Sequence, residues 1–244
     1  ENNSKLQLSK IGNIRIKLHR PIQGKIKTLT IHRQADGWFA CFTSEVESNI
    51  LSTNNKSVGI DLGITNFAIT SDGKFFNPIK YLRQNENKIK RHQRRVSRRK
   101  KDSNQRKKAV HNLARSHQRI KYKRLDTHHK ISHELINEYG LIVLEQLQVS
   151  NMIKNHHLAK SISDAGWSSF ASILSSKAEN AGRKVVYVDP KFTSQMCSNC
   201  KVIVKKKLSQ RWHSCPCGCE LHRDVNAAIN ILNKYMGLDG AIIT

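Results

Sequence analysis

Five of the six cysteines fall between Cys197 and Cys219. Cys197-Ser198-Asn199-Cys200 is a C-x2-C pair, the spacing at which two thiolates grip one tetrahedral Zn²⁺. The second group, Cys215-Pro216-Cys217-Gly218-Cys219, is irregular. It offers three thiols for two places: Cys215 with Cys217 as C-x-C, or Cys215 with Cys219 as C-x3-C. His213 and His222 are outside candidates. Four thiolates leave no open coordination position, so the expected role of the metal is structural. Such clustering, in a chain without a secretion signal, favours metal over disulfides and a reducing cytoplasm. The sixth cysteine, Cys41, stands alone in a strand-like run and is expected in the core.

Three acids form a second chemical set. Asp61, Glu145 and Asp224 each stand where a strand or helix should begin or end. Hydrolysis of a phosphodiester calls for hard oxygen ligands that hold two divalent ions about 4 Å apart. Carboxylates suit Mg²⁺ and Mn²⁺ for that reason. An acid between Ile60 and Leu62, or after Val143-Leu144, is costly unless something compensates it. Each acid has a plainer reading. Asp61 could form a turn, Glu145 could mark the wet end of a strand, and Asp224 could cap the helix of residues 225–236. The nuclease reading rests on their joint occurrence, in one order, inside a basic chain.

That basicity is large: 43 Lys and Arg stand against 18 Asp and Glu in 244 residues, a formal net charge of +25. Such a surplus points to a polyanion, because each neutralised phosphate releases counterions. Solubility or an anionic membrane surface would also use positive charge, but no amphipathic apolar helix offers an anchor. No apolar run approaches eighteen residues, so no membrane span is expected, and no signal peptide is evident. A hydrophobic share of 38% allows one sizeable core with a small added module. Because the chain opens on Glu1 rather than Met, it reads as a piece of something longer.

The elements that must position these groups follow from the patterning. Residues 13–47 read as a β-meander, with alternation in Ile14 to Leu18 and a hairpin turn at Asp36-Gly37. Ser57 to Gly63 is an apolar strand carrying Asp61, followed by a strand at Phe67 to Thr70 and a turn into Phe75-Phe76. Residues 83–138 read as a basic helical arm. From Arg83 to Lys130 it holds 19 Lys and Arg against three acids, Glu86, Asp102 and Asp126. Residues 83–101 have only Ile89 and Val96 as clear apolar positions, too thin a stripe for an ordinary buried helix. A turn is expected at Asp102-Ser103-Asn104. Leu141 to Glu145 is a buried strand, one helix covers about 158–181, and Val185 to Val188 is a further strand. A last helix runs from Asp224 to Met236.

Several of these stretches carry a family likeness. Gly59-Ile60-Asp61-Leu62-Gly63-Ile64, Ile142-Val143-Leu144-Glu145 and Arg223-Asp224-Val225-Asn226-Ala227-Ala228 resemble, in order, the three RuvC motifs of TnpB nucleases, relatives of the type V CRISPR effectors. Pro190 to Gln195 ahead of Cys197 is also similar to the family. The resemblance runs from about residue 57 to 235. It implies an α/β, RNase H-like (RuvC) mixed sheet with helices on both faces. Asp61 would then contact two Mg²⁺ or Mn²⁺ ions, and Glu145 and Asp224 one each. Counting back from Asp224, the family's last zinc ligand falls on Cys217, with Cys215 as its partner and Cys219 as the alternative. His222 is a departure, since the family usually has an acid two residues before the last motif's Asp.

The implied organisation is residues 1–56 as the end of a wedge-like β domain and 57–196 as a RuvC-like nuclease domain bearing the arm at about 83–138. A zinc ribbon at 197–219 and the last motif with a C-terminal helix at 220–244 complete it. The implied function is a metal-dependent DNA endonuclease directed by a transposon-encoded guide RNA, with DNA and that RNA as partners. The rivals are a non-catalytic nucleic-acid-binding or regulatory module, and a DNA strand-transferase.

Overall fold

A computed structural model describes residues 3–207 and 210–237. Residues 238–244, the end of the expected C-terminal piece, lie outside them.

The centre is a five-stranded mixed sheet. In chain order it takes β5 (Ser57–Leu62), β6 (Ala68–Thr70), β7 (Phe75–Phe76), β8 (Leu141–Glu145) and β9 (Lys184–Val188). Their spatial order is β7-β6-β5-β8-β9. β6 and β7 are antiparallel to their neighbours, whereas β5-β8 and β8-β9 are parallel. The parallel strands β5 and β8 read as near-continuous apolar runs because both faces are covered. On one face, Val58, Ile60, Leu62, Ile142 and Leu144 pack with Ile131, Leu135, Trp167, Phe170 and Leu174. Those partners come from α3 (Asn104–Glu138) and α6 (Trp167–Asn180). The other face receives α7 (Arg223–Tyr235), with Ala227, Ala228 and Ile231 buried.

The arm consists of three helices. A single turn, α1 (Tyr81–Gln84), precedes α2 (Glu86–Ser97), in which only Ile89 is buried. The expected turn falls at Asp102, which takes φ +63, and the Ser103 side chain caps α3 by accepting from the Arg106 amide. The buried residues of α3 begin at Ile120, so its second half belongs to the core and its first half to the exposed arm.

Three expectations are corrected. The helix expected at 158–181 is two, α5 (His156–Ala165) and α6, broken at Gly166 with φ +68. A Cβ there would stand 3.1 Å from Arg124 and 3.3 Å from His128, so α3 crowds the bend. The β-meander is instead two separate hairpins among the described residues. β1 (Asn3–Leu8) pairs with β2 (Gly12–Lys17), and β3 (Lys25–Gln34) pairs with β4 (Gly37–Glu45). Cys41, expected in the core, is exposed on β4. A two-stranded ribbon has no second layer to bury its apolar side chains, and Trp38 is likewise exposed.

A short helix, α4 (Val149–Met152), follows β8. The cysteine module holds one further hairpin, β10 (Trp212–Ser214) with β11 (Glu220–His222). No helix among the described residues is long and apolar enough to cross a membrane.

Candidate functional site

The parallel register sets the first two acids side by side. Ile60 pairs with Leu144 across β5 and β8, so Asp61 and Glu145 follow on neighbouring strands and share one face. It is the face of Gly59, two residues before Asp61, against which α7 packs. Asp224 stands in the first turn of that helix. Three segments far apart in sequence thus meet at one end of the sheet, and all three acids are partly buried.

The electrostatics record the meeting. Burial pushes the Asp61 carboxyl up to about 8, with Glu145 and then Asp224 adding to the rise and Arg223 opposing it. Burial also raises Glu145, against a hydrogen bond from Thr193 and the charge of Lys234. Burial and two neighbouring carboxylates make Asp61 costly to ionise, and positive charge placed there would relieve that cost. Hard cations fit such oxygen donors.

His222 stands two residues before Asp224. Its Nδ1 accepts from the Asp224 amide at 3.3 Å, and its ring meets Phe75 edge-on at 5.3 Å between centroids. The N-cap of α7 is therefore His222 rather than Asp224. The carboxylate of Asp224 is free of the capping role that its sequence position allowed.

The thiols form a second cluster. Cys197, Cys200, Cys215 and Cys217 bring their sulfurs within 4.8 Å of one another. Cys197 Sγ lies 3.7 Å from Cys217 Sγ, and Cys200 Sγ lies 3.5 Å from Cys215 Sγ. A zinc tetrahedron with Zn–S bonds of about 2.3 Å has edges of about 3.8 Å, so the spacing fits that ion. A hydrogen bond from the Cys219 amide, with help from Cys200, holds the Cys217 thiol down to about 6. Cys219 itself lies 3.9 Å from Ser198 Oγ and forms a separate group with Cys197 and buried His213. His213 Nδ1 contacts Lys206 Nζ.

Three residues that tie the clusters together, Thr193 in the Pro190 to Gln195 stretch and Asn226 and Asn230 after Asp224, receive no role of their own from the sequence. Thr193 is buried and donates its hydroxyl to Glu145 Oε1 at 2.5 Å. Asn226 and Asn230, both fully buried on α7, hydrogen-bond the backbone around Cys197. Fully buried asparagines are costly unless their amides are used, so two of them in one apolar helix face were the signal available.

The comparisons with known proteins follow the same outline. The OrfB_IS605 family model, described as "Probable transposase", matches residues 41–156. The Cas12f1-like TNB domain model matches residues 167–231. A candidate RNA-guided DNA endonuclease of Streptomyces pristinaespiralis is 37% identical over 236 residues, covering 94% of this chain and 59% of that protein. InsQ of Escherichia coli (strain K12), another candidate RNA-guided DNA endonuclease, is 33% identical over 250 residues, covering 95% and 62%. The chain thus spans about three-fifths of the length of these curated relatives. Among solved structures, a Cas12f1–sgRNA–target DNA complex matches with TM-score 0.53 at 15% identity, over 85% of this chain and 56% of the other.

Proposed function

The chain belongs to the TnpB family, and from that premise we propose that it carries the hydrolytic centre of a transposon-associated, RNA-guided DNA endonuclease. Asp61, Glu145 and Asp224 are the proposed catalytic residues. What carries the reading is their convergence from β5, β8 and α7 onto one partly buried spot, where burial first, and then the charges of Glu145 and Asp224, raise the Asp61 carboxyl. The mixed sheet with helices on both faces supports an RNase H-like (RuvC-type) fold class.

Bound Mg²⁺ or Mn²⁺ would supply an activated water and steady the leaving oxygen. Asp61, Glu145 and Asp224 would hold the cations through their carboxylate oxygens, with Asp61 electrostatically coupled to both of the others. Arg223 limits the build-up of negative charge beside Asp61. Cys197, Cys200, Cys215 and Cys217 would hold a structural zinc, which would fix the approach to α7. The basic faces of α2 and of the first half of α3 take up phosphates of the guide RNA or target DNA. The domains we assign are 1–56 as the end of a wedge-like β domain, 57–196 as the nuclease body, 197–219 as the zinc ribbon and 220–244 as the last motif. The cytoplasm, where thiols stay reduced, is the inferred setting.

The transposase description of the matching family favours a second reading, DNA strand transfer at the same acids. The two differ in the nucleophile: water in hydrolysis, a DNA 3′-hydroxyl in transfer. Incubating the chain with Mg²⁺, plasmid DNA and a linear donor fragment bearing a free 3′-hydroxyl, with and without co-purified RNA, tests both. Nicked or linear product supports the nuclease, and joined DNA products support transfer.

A further inference from the structure

We propose that Thr193 is a positioning residue for the acidic centre, holding Glu145 by one oxygen so that it meets a cation with the other. The inference rests on the reading of Asp61, Glu145 and Asp224 as cation ligands.

Thr193 is only 3% exposed, and its Oγ1 lies 2.5 Å from Glu145 Oε1. The same oxygen is 3.0 Å from the Pro190 carbonyl. A hydroxyl has one proton, and the shorter, charge-assisted contact takes it. With Oε1 accepting from Thr193, the carboxylate is held in one orientation, and Oε2 would be the oxygen presented first to a cation. A free carboxylate could swing to grip a cation with both oxygens or turn away from it.

The hydroxyl can do this only if its own backbone is fixed, and the structure fixes it from α7. Asn230 Nδ2 donates to the Thr193 carbonyl at 2.9 Å and to the Met196 carbonyl at 2.6 Å. One turn earlier on the same helix face, Asn226 Nδ2 donates to the Met196 carbonyl at 2.8 Å, and its Oδ1 accepts from the Ser198 amide at 2.9 Å. The strap 190–198 is thereby fastened to the helix that carries Asp224, while its Thr193 side chain reaches across to Glu145. Its far end is the Cys197 knuckle. Phe192, just before Thr193, sits at φ +65, a conformation rare for a residue with a Cβ and sustained here by the bonds on either side. One strap therefore sets the spacing of Glu145 from Asp224 and links both to the thiol cluster.

The test is Mn²⁺ binding by the purified chain, followed by calorimetric titration and by the electron paramagnetic resonance signal of bound Mn²⁺. Thr193→Val removes the hydroxyl and keeps the bulk. It is expected to weaken Mn²⁺ roughly 10- to 100-fold, the usual cost of losing an outer-shell partner, with zinc content unchanged. Thr193→Ser, which keeps the hydroxyl and loses a methyl, is expected to restore binding even if packing and melting temperature suffer. Wild-type Mn²⁺ affinity in Thr193→Val, or failure of Thr193→Ser to restore what Thr193→Val loses, overturns the proposal. Glu145→Gln and Asp61→Asn separate the two levels. If they weaken Mn²⁺ and Thr193→Val does not, only the role of Thr193 fails. If they also leave Mn²⁺ unaffected, the cation site itself is misread and Thr193 falls with it.

Discussion

A Cβ on Gly59 would stand 2.1 Å from the carbonyl oxygen of Ala228. α7 therefore lies directly on β5, and this close approach brings Asp224 towards Asp61. The obstacle is helix backbone, which cannot rotate aside. Gly59→Ala is expected to destabilise the fold by about 3 kcal/mol, the upper end for overpacking. Urea denaturation measures it, and an unchanged midpoint would mean that α7 has room to spare.

The Asp61 carboxyl, raised from 3.8 to about 8, makes stability depend on pH. Without divalent cations, the folded state keeps a proton that the unfolded chain releases from about pH 4 upward. Stability should fall as pH rises through that window and level off above about 8. Asp61→Asn removes the penalty. It should raise the melting temperature of the Mg²⁺-free protein at pH 8 and give no such gain at pH 4. A lower melting temperature at pH 8 would show that Asp61 is not the strained group.

Freshly purified protein is expected to hold about one zinc per chain, as one four-thiolate site requires. Cys197→Ser should lower zinc content and thermal stability together, and Cys41→Ser should leave zinc unchanged. The two candidates for the fourth place separate as well. Cys217 lies within the four-sulfur group and Cys219 outside it, so Cys217→Ser should lose more metal than Cys219→Ser. Elemental analysis that finds no zinc would count against the module.

The arm should govern salt-sensitive binding. Arg94, Arg95 and Arg98 line one open groove along α2, and α2 buries only Ile89. Changing Arg94, Arg95, Arg98 and Arg99 together to Gln should flatten the slope of log affinity against log salt by up to about 4. An unchanged slope would make the arm a merely solvated surface.

The parts legible in the sequence were those written in local runs. Val58 to Leu62 and Ile142 to Leu144 are apolar enough to be central strands, and the acids sit at or near their ends. Which acids meet also follows once the two strands run parallel in register. The break at Gly166 was hidden, because the apolar positions on either side keep a helical rhythm and the bend is set by contact with α3. Thr193 was hidden for a related reason. Its partner Glu145 is 48 residues away, so no spacing announces the pair. His222 looked like a lost acid, and only the helix start shows that it serves as a cap.

Cleavage by the Asp61→Ala chain is the most direct test of the acidic centre. Wild-type chain and variant are incubated with plasmid DNA and Mg²⁺, and nicking and DNA affinity are measured together. The wild type should nick weakly and without sequence preference. Asp61→Ala should abolish nicking while holding affinity within about twofold, since basic side chains elsewhere supply the grip. A variant that nicks at the wild-type rate, or a wild type that never nicks with Mg²⁺ present, would contradict the assignment of Asp61, Glu145 and Asp224 as a hydrolytic centre.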